Sequence, residues 1–282
     1  MNYSQKIYHS RSQLTEPNKL LQSMFNDLLA ARQLAWKLMV RDINAKYRQT
    51  LLGYFWALIP PVVVAYGLVI AAQARVVNLG VTDLPYPAYV MLSMVLWQTF
   101  LEAFNAPLAA ISESKTMLAK VNFPREAIIL AKVGEVFFNF LIKLILVIFI
   151  FAVYDMPVSP MVFLAPLGVV QIVLLGTFLG LFIAPIGGIY QDFSRAIVIF
   201  TTPWLLITPV LYPMPKAGIF ATIVKFNPVT SLLVTTRELA TTGLVSNWSG
   251  FVIVSVISII GLLLAWVFFR LAIPYVIERM PS

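Results

Sequence analysis

Residues 127–153 read AIILAKVGEVFFNFLIKLILVIFIFAV. The run is proline-free and longer than the roughly 20 apolar residues that carry an α-helix across about 30 Å of hydrocarbon. Its polar members, Lys132, Glu135, Asn139 and Lys143, are spaced 3, 4 and 4 apart, which places all of them on one stripe. The whole chain shares this character. Of 282 residues, 60% are hydrophobic and only 11% charged, against about 25% charged in an ordinary soluble domain. Such a chain cannot cover itself with polar surface in water. The expected fold is an all-α integral membrane protein.

Outward from that span, the same reading gives five more: Tyr54–Ala74, Tyr86–Leu108, Met161–Gly188, Ala196–Leu211 and Gly250–Leu271. The expectation is six transmembrane helices over residues 54–282, preceded by a polar segment, 1–53. Prolines 60, 61, 185 and 203 sit in or beside spans, where proline is better tolerated than in soluble helices. No short apolar run opens the chain, so no cleavable signal peptide is expected and the first span serves as the insertion signal.

An even number of spans puts both termini on one side, and the basic residues say which. Lys6, Arg11, Lys19, Arg32, Lys37, Arg41, Lys46 and Arg48 precede the first span. Lys115, Lys120, Arg125 and Lys132 follow the second, Arg195 follows the fourth, and Arg270 and Arg279 close the chain. These are fifteen of the 20 basic residues; Arg75, Lys216, Lys225 and Arg237 lie opposite, and Lys143 lies within a span. The positive-inside rule then places both termini in the cytoplasm. The net charge of +8 is therefore a membrane-orientation signal, and nucleic acid is not the expected partner.

Three segments outside the spans carry signals. Residues 34–49 read as an amphipathic helix, with Trp36, Met39, Val40, Ile43 and Tyr47 on one face and Lys37, Arg41, Asn44 and Arg48 on another. Such a helix reads as lying in the cytoplasmic interface or as a plain juxtamembrane anchor. In the short connection 111–124, Ser112, Glu113, Ser114 and Lys115 open a helix of one or two turns that projects into the cytoplasm. On the outer side, residues 213–247 are too apolar for a loop and too broken for a span. Asn227-Pro228 is a helix start there. Two short helices that dip back into the membrane are expected, lining a pathway mouth or sealing the outer face.

Charge inside a bilayer is costly, so intramembrane charges pair or face a cavity. Gln98, Glu102 and Asn105 form a stripe on the second span, opposite the stripe on the third. Glu102 and Lys132 are expected to pair. The two stripes line a polar conduit or lock two helices together.

Several chemistries are excluded. The chain has no cysteine and one histidine, His9, so no disulfide, thiolate nucleophile or ordinary zinc site is expected. No phosphate-cradling loop, H-E-x-x-H or G-x-S-x-G motif occurs. If ATP drives this protein, a separate subunit supplies the ATPase.

Residues 41–57, RDINAKYRQTLLGYFWA, resemble the approach to the first span in ABC exporter permeases of the polysaccharide-export branch, whose pattern there is R-D-x-x-x-[KR]-Y-[KR]-x-[ST]-x-L-G-x-x-W. Lys120-Val121-Asn122-Phe123-Pro124-Arg125 is similar to their K-x-x-F-P-R after the second span. Gly188-Ile189-Tyr190-Gln191-Asp192-Phe193 resembles their fourth-to-fifth connection, and Asn227-Pro228 followed by Arg237-Glu238 and Gly243 resembles the segment before their last span. The likeness runs from about residue 35 to the C-terminus; residues 1–33 match no pattern.

The resemblance implies a permease subunit in the bacterial cytoplasmic (inner) membrane. It implies a homodimer of this chain with two copies of an ABC ATPase subunit that binds ATP and Mg, no cofactor in this chain, and a lipid-linked polysaccharide as cargo: O-antigen, capsule or teichoic-acid type. Ser112, Glu113, Ser114, Lys115, Thr116, Met117, Lys120 and Phe123 would then form the ATPase-coupling loop. Trp36, Lys37, Arg41, Tyr47 and Arg48 would belong to the interface or gate helix, and Asn227, Pro228, Arg237 and Glu238 to the outer re-entrant pair. Conduit candidates are Tyr54, Phe55, Trp56, Trp97, Phe100, Glu102, Phe104, Glu135, Asn139 and Lys143; the same rings also suit an interfacial belt and ordinary helix packing. Two other readings use the same residues: a small-molecule ABC exporter permease, and an ion-coupled transporter with Glu102, Glu135 and Lys143 as a relay. A membrane-embedded transferase would need a catalytic cluster that the sequence does not offer.

Overall fold

Leu, Ala, Lys, Arg and Gln dominate residues 17–48, with Pro17 at the first position and Lys46 and Arg48 in the last turn. All favour a long helix, and in the computed structural model α1 spans Pro17–Arg48 without a break. The structure describes residues 17–48, 50, 51, 53–74, 82–190 and 192–279. Lys6, His9, Arg11, Gln49, Leu52, Arg75 and Gln191 lie outside the described residues. Beyond α1 come a 3-10 turn Gly53–Ala57, α2 Ile59–Gln73, α3 Tyr86–Glu113, α4 Lys115–Lys120 and α5 Glu126–Val153. A 3-10 turn Pro160–Leu164, α6 Ala165–Ile189, α7 Phe193–Ile207, α8 Ile219–Phe226, α9 Pro228–Ala240 and α10 Trp248–Arg279 complete the order.

Among the described residues three segments are long and apolar enough to cross a membrane: α5, Pro160–Ile189 and α10. The pair α8 and α9, bent by 80°, makes a fourth if it counts as one span. Helix α3 has the length but not the hydropathy, for a packing reason. Most of its residues, from Ala88 to Ile111, are buried by other helices, and a helix shielded from lipid tolerates Gln98, Glu102 and Asn105. Helix α2 is only 15 residues long, because the predicted span Tyr54–Ala74 begins as a 3-10 turn. The predicted fifth span, 196–211, is likewise a 15-residue helix, α7.

Helix α6 packs most extensively on α3, and two glycines permit it. A Cβ at Gly176 would collide with the Phe100 carbonyl and the Phe104 amide; one at Gly180 would collide with the Phe104 carbonyl and Pro107. Gly176-x-x-x-Gly180 thus lets two backbones touch, the usual means of helix association where no hydrophobic effect operates between helices.

Helix α1 lies against α5 and α10. Met24, Ala31, Ala35 and Leu38 form its buried stripe, and Asp27 and Asp42 fall on the same stripe by spacing. The expected apolar face holds in part: Ile43 is buried and Met39 and Tyr47 turn inward, whereas Trp36, 65% exposed, and Val40 point away. The helix also starts seventeen residues before position 34, inside the segment that matched no sequence pattern.

Candidate functional site

A continuous polar network runs where α1, α3 and α5 meet. At its lower end Lys132 Nζ lies 2.5 Å from Glu113 Oε2, 3.1 Å from Glu135 Oε2 and 3.2 Å from Asp42 Oδ2. Glu135 also accepts from Lys46 Nζ at 3.0 Å, and Arg41 Nη2 sits 2.7 Å from Asp42. One layer deeper, the Tyr47 hydroxyl donates to Asn139 Oδ1 (2.9 Å), Asn139 Nδ2 donates to Glu102 Oε2 (3.0 Å), and Lys143 Nζ donates to Glu102 Oε1 (2.5 Å). The four cations and four carboxylates of this network balance in charge. Burial depresses the Lys46 ammonium, but the hydrogen bond and charge of Glu135 outweigh it and raise its pKa. Burial holds Tyr47 above its ordinary range, so it remains a phenol that can donate.

The expected Glu102–Lys132 pair does not form. Its placement assumed that the second helix ends near Leu108, whereas α3 continues through Glu113. In the antiparallel pair this brings Lys132 level with Glu113, and Glu102, three turns deeper, level with Lys143. Of the second-span stripe, Glu102 meets Asn139 and Lys143 of the third-span stripe, in a different register from the expected one, whereas Asn105 is exposed and bonds the Leu101 carbonyl of its own helix.

The coupling-loop candidates divide between two helices. Ser112 and Glu113 finish α3, Ser114 is the non-helical joint with φ −100° and ψ 12°, and Lys115, Thr116, Met117 and Lys120 lie on α4. Leu118 anchors α4 inward, while Ser112, Glu113, Thr116 and Lys120 face outward. Phe123, half-buried, lies between α4 and α5. Of the interface candidates, Lys37, Arg41 and Arg48 are exposed with Trp36, and Tyr47 turns into the network.

The aromatic candidates also separate. Trp97, Phe100 and Phe104 are buried in the bundle, packed around Trp204 of α7 at ring-centroid distances of 6.4, 5.2 and 6.2 Å. Tyr54, Phe55 and Trp56 are exposed at the start of the first predicted span, with the Tyr54 ring 4.4 Å from that of Tyr47 and tilted by 44°. A cavity of about 300 Å³ between α3, α5, α6 and α9 is lined by Val95, Phe140, Val147, Val169, Thr236 and their neighbours; this lining suits hydrocarbon, not sugar.

The end of the bundle that holds α8 and α9 is built around the point where α7 stops. Thr208 precedes Pro209, which disfavours helical backbone, and it is extended at φ −103° and ψ 133°. The carbonyls of the turn then need donors, since lipid offers none. Tyr86 Oη donates to Leu211 O (2.9 Å), and Tyr89 Oη lies 2.8 Å from Tyr212 O and 3.1 Å from Pro209 O. Arg237 Nη1 donates to Ser93 Oγ (2.8 Å) and Pro209 O (3.2 Å), while its guanidinium sits 4.1 Å from the Tyr89 ring centroid. Asn227 caps α9 by accepting from the Val229 amide at 3.1 Å, accepts from Trp204 Nε1 at 3.0 Å, and donates to Thr208 Oγ1 at 2.8 Å. Pro228 occupies the first helical position. Glu238 accepts from the Ser246 amide at 2.9 Å, and Gly243 turns the chain there at φ +75°. The two short helices expected from Asn227-Pro228 are therefore present, and the side chains flanking the break satisfy it.

Sequence reasoning missed a third cluster. Arg270 of α10 donates to Asp27 Oδ2 (2.6 Å) and Ser23 Oγ (3.2 Å) of α1 and to Glu126 Oε1 of α5 (2.8 Å). The signal was present as Asp27 on the α1 stripe, but its partner lies 243 residues away. Trp204, which gathers the core rings, and Gly176-x-x-x-Gly180 were likewise legible and unused.

A family model described as "ABC-2 type transporter" matches residues 33–240, from the middle of α1 to the end of α9. The chain is also similar to three proteins named O-antigen export system permease protein RfbA. One, from Myxococcus xanthus, is 24% identical over 216 residues, 74% of this chain and 81% of that protein. Two from Klebsiella pneumoniae are 23% and 24% identical, over 72% and 73% of this chain and 78% and 79% of theirs.

Proposed function

Because this chain belongs to the ABC-2 type transporter family of membrane permeases, we propose that it is the transmembrane subunit of an ATP-driven exporter of a lipid-linked polysaccharide of the O-antigen, capsule or teichoic-acid type. It is a multi-pass membrane protein and a transport subunit. The observation that carries the cargo assignment is that three similar proteins, each aligned over about four fifths of its length, are named for O-antigen export.

In this reading the chain spans the bacterial inner membrane six times, with α2, α3, α5, α6, α7 and α10 as spans and both termini in the cytoplasm. Residues 1–53 are the cytoplasmic tail and interface helix, and 54–282 the permease domain. Two copies pair, and each receives an ABC ATPase subunit that holds ATP and Mg. Helix α4 is the docking element. It is short, anchored by buried Leu118 and half-buried Met117, and it turns Thr116, Ala119 and Lys120 outward, a geometry suited to insertion into a partner. Helices α8 and α9 form the outer re-entrant pair. The exposed rings Tyr54, Phe55 and Trp56 are available to stack on sugar faces, whereas Trp97, Phe100 and Phe104 fit the packing role. Glu102 and Lys143 neutralise each other, which supports a helix lock over an ion-coupling relay.

Co-purification with the cognate ATPase, followed by ATP-driven export of the polymer from reconstituted vesicles, tests the reading. Association and ATP-dependent export are expected. A chain that transports on its own, without any ATPase, would overturn the proposal. Thr116→Pro, which disfavours the helical backbone of Lys115 at the joint of α3 and α4, is expected to uncouple hydrolysis from export while leaving membrane insertion intact; normal export would remove α4 from the docking role.

A further inference from the structure

Lys132 has one ammonium and three carboxylates around it, from three different elements. Asp42 belongs to α1, Glu113 is the last residue of α3, and Glu135 lies one turn along α5 from Lys132 itself. The ammonium hydrogen-bonds Glu135 and forms ion pairs with Asp42 and Glu113, so one cation joins the three elements. The Lys132 side chain is only 10% exposed, whereas that of Glu113 is 58% exposed. A carboxylate that exposed is well solvated in water, yet it turns onto a buried cation.

The position of Glu113 is what gives the node a direction. Only Ser114 separates it from α4, and Ser114 is both the non-helical end of α3 and the carbonyl that accepts from Leu118 inside α4 at 2.8 Å. A tilt of α4 therefore carries Glu113 with it. The other arm, Asp42, lies near the C-terminal end of α1, next to Tyr47 and Lys46, which grip Asn139 and Glu135. The opposite end of α1 is held separately by Arg270 through Asp27. Helix α1 is thus fixed at one end to α10 and joined at the other, through a single lysine, to the base of α4.

We propose that Lys132 is the positioning residue that carries displacement of α4 into α1, and so couples ATPase docking to movement of the interface helix. The inference rests on the exporter reading and adds to it a specific link. Lys132, Asp42 and Glu135 are shielded from water, with side chains 10%, 17% and 12% exposed, and there a charged contact resists separation more than in bulk water. When Glu113 moves, Lys132 follows on its flexible stem, and Asp42 loses or gains its partner in step. Glu135 keeps the ammonium attached to α5 throughout, and Arg41 compensates Asp42 when its contact with Lys132 changes.

The test uses the full complex of permease and ATPase in vesicles and reads export per ATP hydrolysed. Lys132→Gln and Asp42→Asn are each expected to lower that ratio by about tenfold, within the ordinary range of coupling between two sites, while the complex still assembles and ATP turnover continues. The double variant is expected to lose no more than Lys132→Gln alone, because both break one link in series. Lys132→Arg, which keeps the charge and the donors, is expected to restore most of the ratio. A wild-type ratio in Asp42→Asn, which cuts only the α1 arm and retains a polar side chain of the same size, would overturn the link; so would losses that add in the double variant. If Lys132→Gln fails to insert, Asp42→Asn decides alone. Failure of the wild-type chain to associate with any ATPase would instead bring down the exporter reading, and the link with it.

Discussion

The Lys143 ammonium lies 2.5 Å from Glu102 Oε1, eleven residues further along α5 than the Lys132 ammonium that meets Glu113. Glu102 is also eleven residues from Glu113, in the opposite chain direction. Two antiparallel helices therefore carry the same charge spacing, about three turns or ~16 Å, and pair it rung for rung. This ladder fixes the register of α3 against α5. A slip of one turn would separate both pairs and leave Lys143, which is 1% exposed, without a counter-charge.

That ladder makes a definite prediction about single and paired substitutions. Glu102→Gln is expected to cost about 3–5 kcal/mol, as for other buried pairs broken on one side. The exchanged form, Glu102→Lys with Lys143→Glu, is expected to regain most of it, because the Asn139 amide can turn to present its oxygen to the new ammonium. Thermal unfolding in detergent measures both. Equal stability of Glu102→Gln and the wild type would mean that the pair locks nothing.

A second expectation concerns the contact of α6 with α3. Gly180→Ala places a methyl group against the Phe104 backbone and Pro107, which cannot yield without separating the helices; about 1–3 kcal/mol or more is expected. Gly134→Ala is the control. There the added methyl meets the flexible Met39 side chain, and the variant should stay close to wild type. If the two variants unfold at the same temperature, backbone proximity is not what holds the two helices.

Where α7 ends, Arg237→Met removes the donor to Ser93 and leaves the Pro209 carbonyl only the Tyr89 hydroxyl that it shares with the Tyr212 carbonyl. A buried polar group left unsatisfied costs about 1–3 kcal/mol, enough to loosen α8 and α9. The chain has no cysteine, so a single cysteine at Val224, fully buried on α8, reports directly. Its maleimide labelling should be slow with Arg237 and faster by roughly that energy, about tenfold or more, with Met. Unchanged protection would assign the hairpin's hold to Asn227 and Trp204 instead.

The same absence of cysteine allows the topology to be read. Ser112→Cys and Leu244→Cys both place the thiol on exposed positions. An impermeant reagent should reach position 112 only from the cytoplasmic side and position 244 only from outside. Labelling of both from one face would refute the six-span arrangement and the docking role of α4 together.

How far the sequence reaches differs between the parts of the molecule. Residues 127–153 announce α5 almost to the residue, because hydrocarbon admits so few ways to satisfy a backbone. Asn227-Pro228 announces the start of α9, because a cap and a proline act locally. The helix containing Tyr47 was legible from its basic and apolar periodicity, and Met39, Ile43 and Tyr47 of the expected face turn inward, but Trp36 and Val40 do not. Asp27 and Asp42 look misplaced on a buried stripe until Arg270 and Lys132 are seen opposite them.

Local chemistry therefore determined which segments are helical, where the outer pair breaks and which residues form the polar stripes. The tertiary structure alone decided which charge meets which. Pairing depends on register, and register depends on where α3 truly ends and on how closely Gly176 and Gly180 let α6 approach it. Those are properties of two helices in contact, and neither helix carries them by itself.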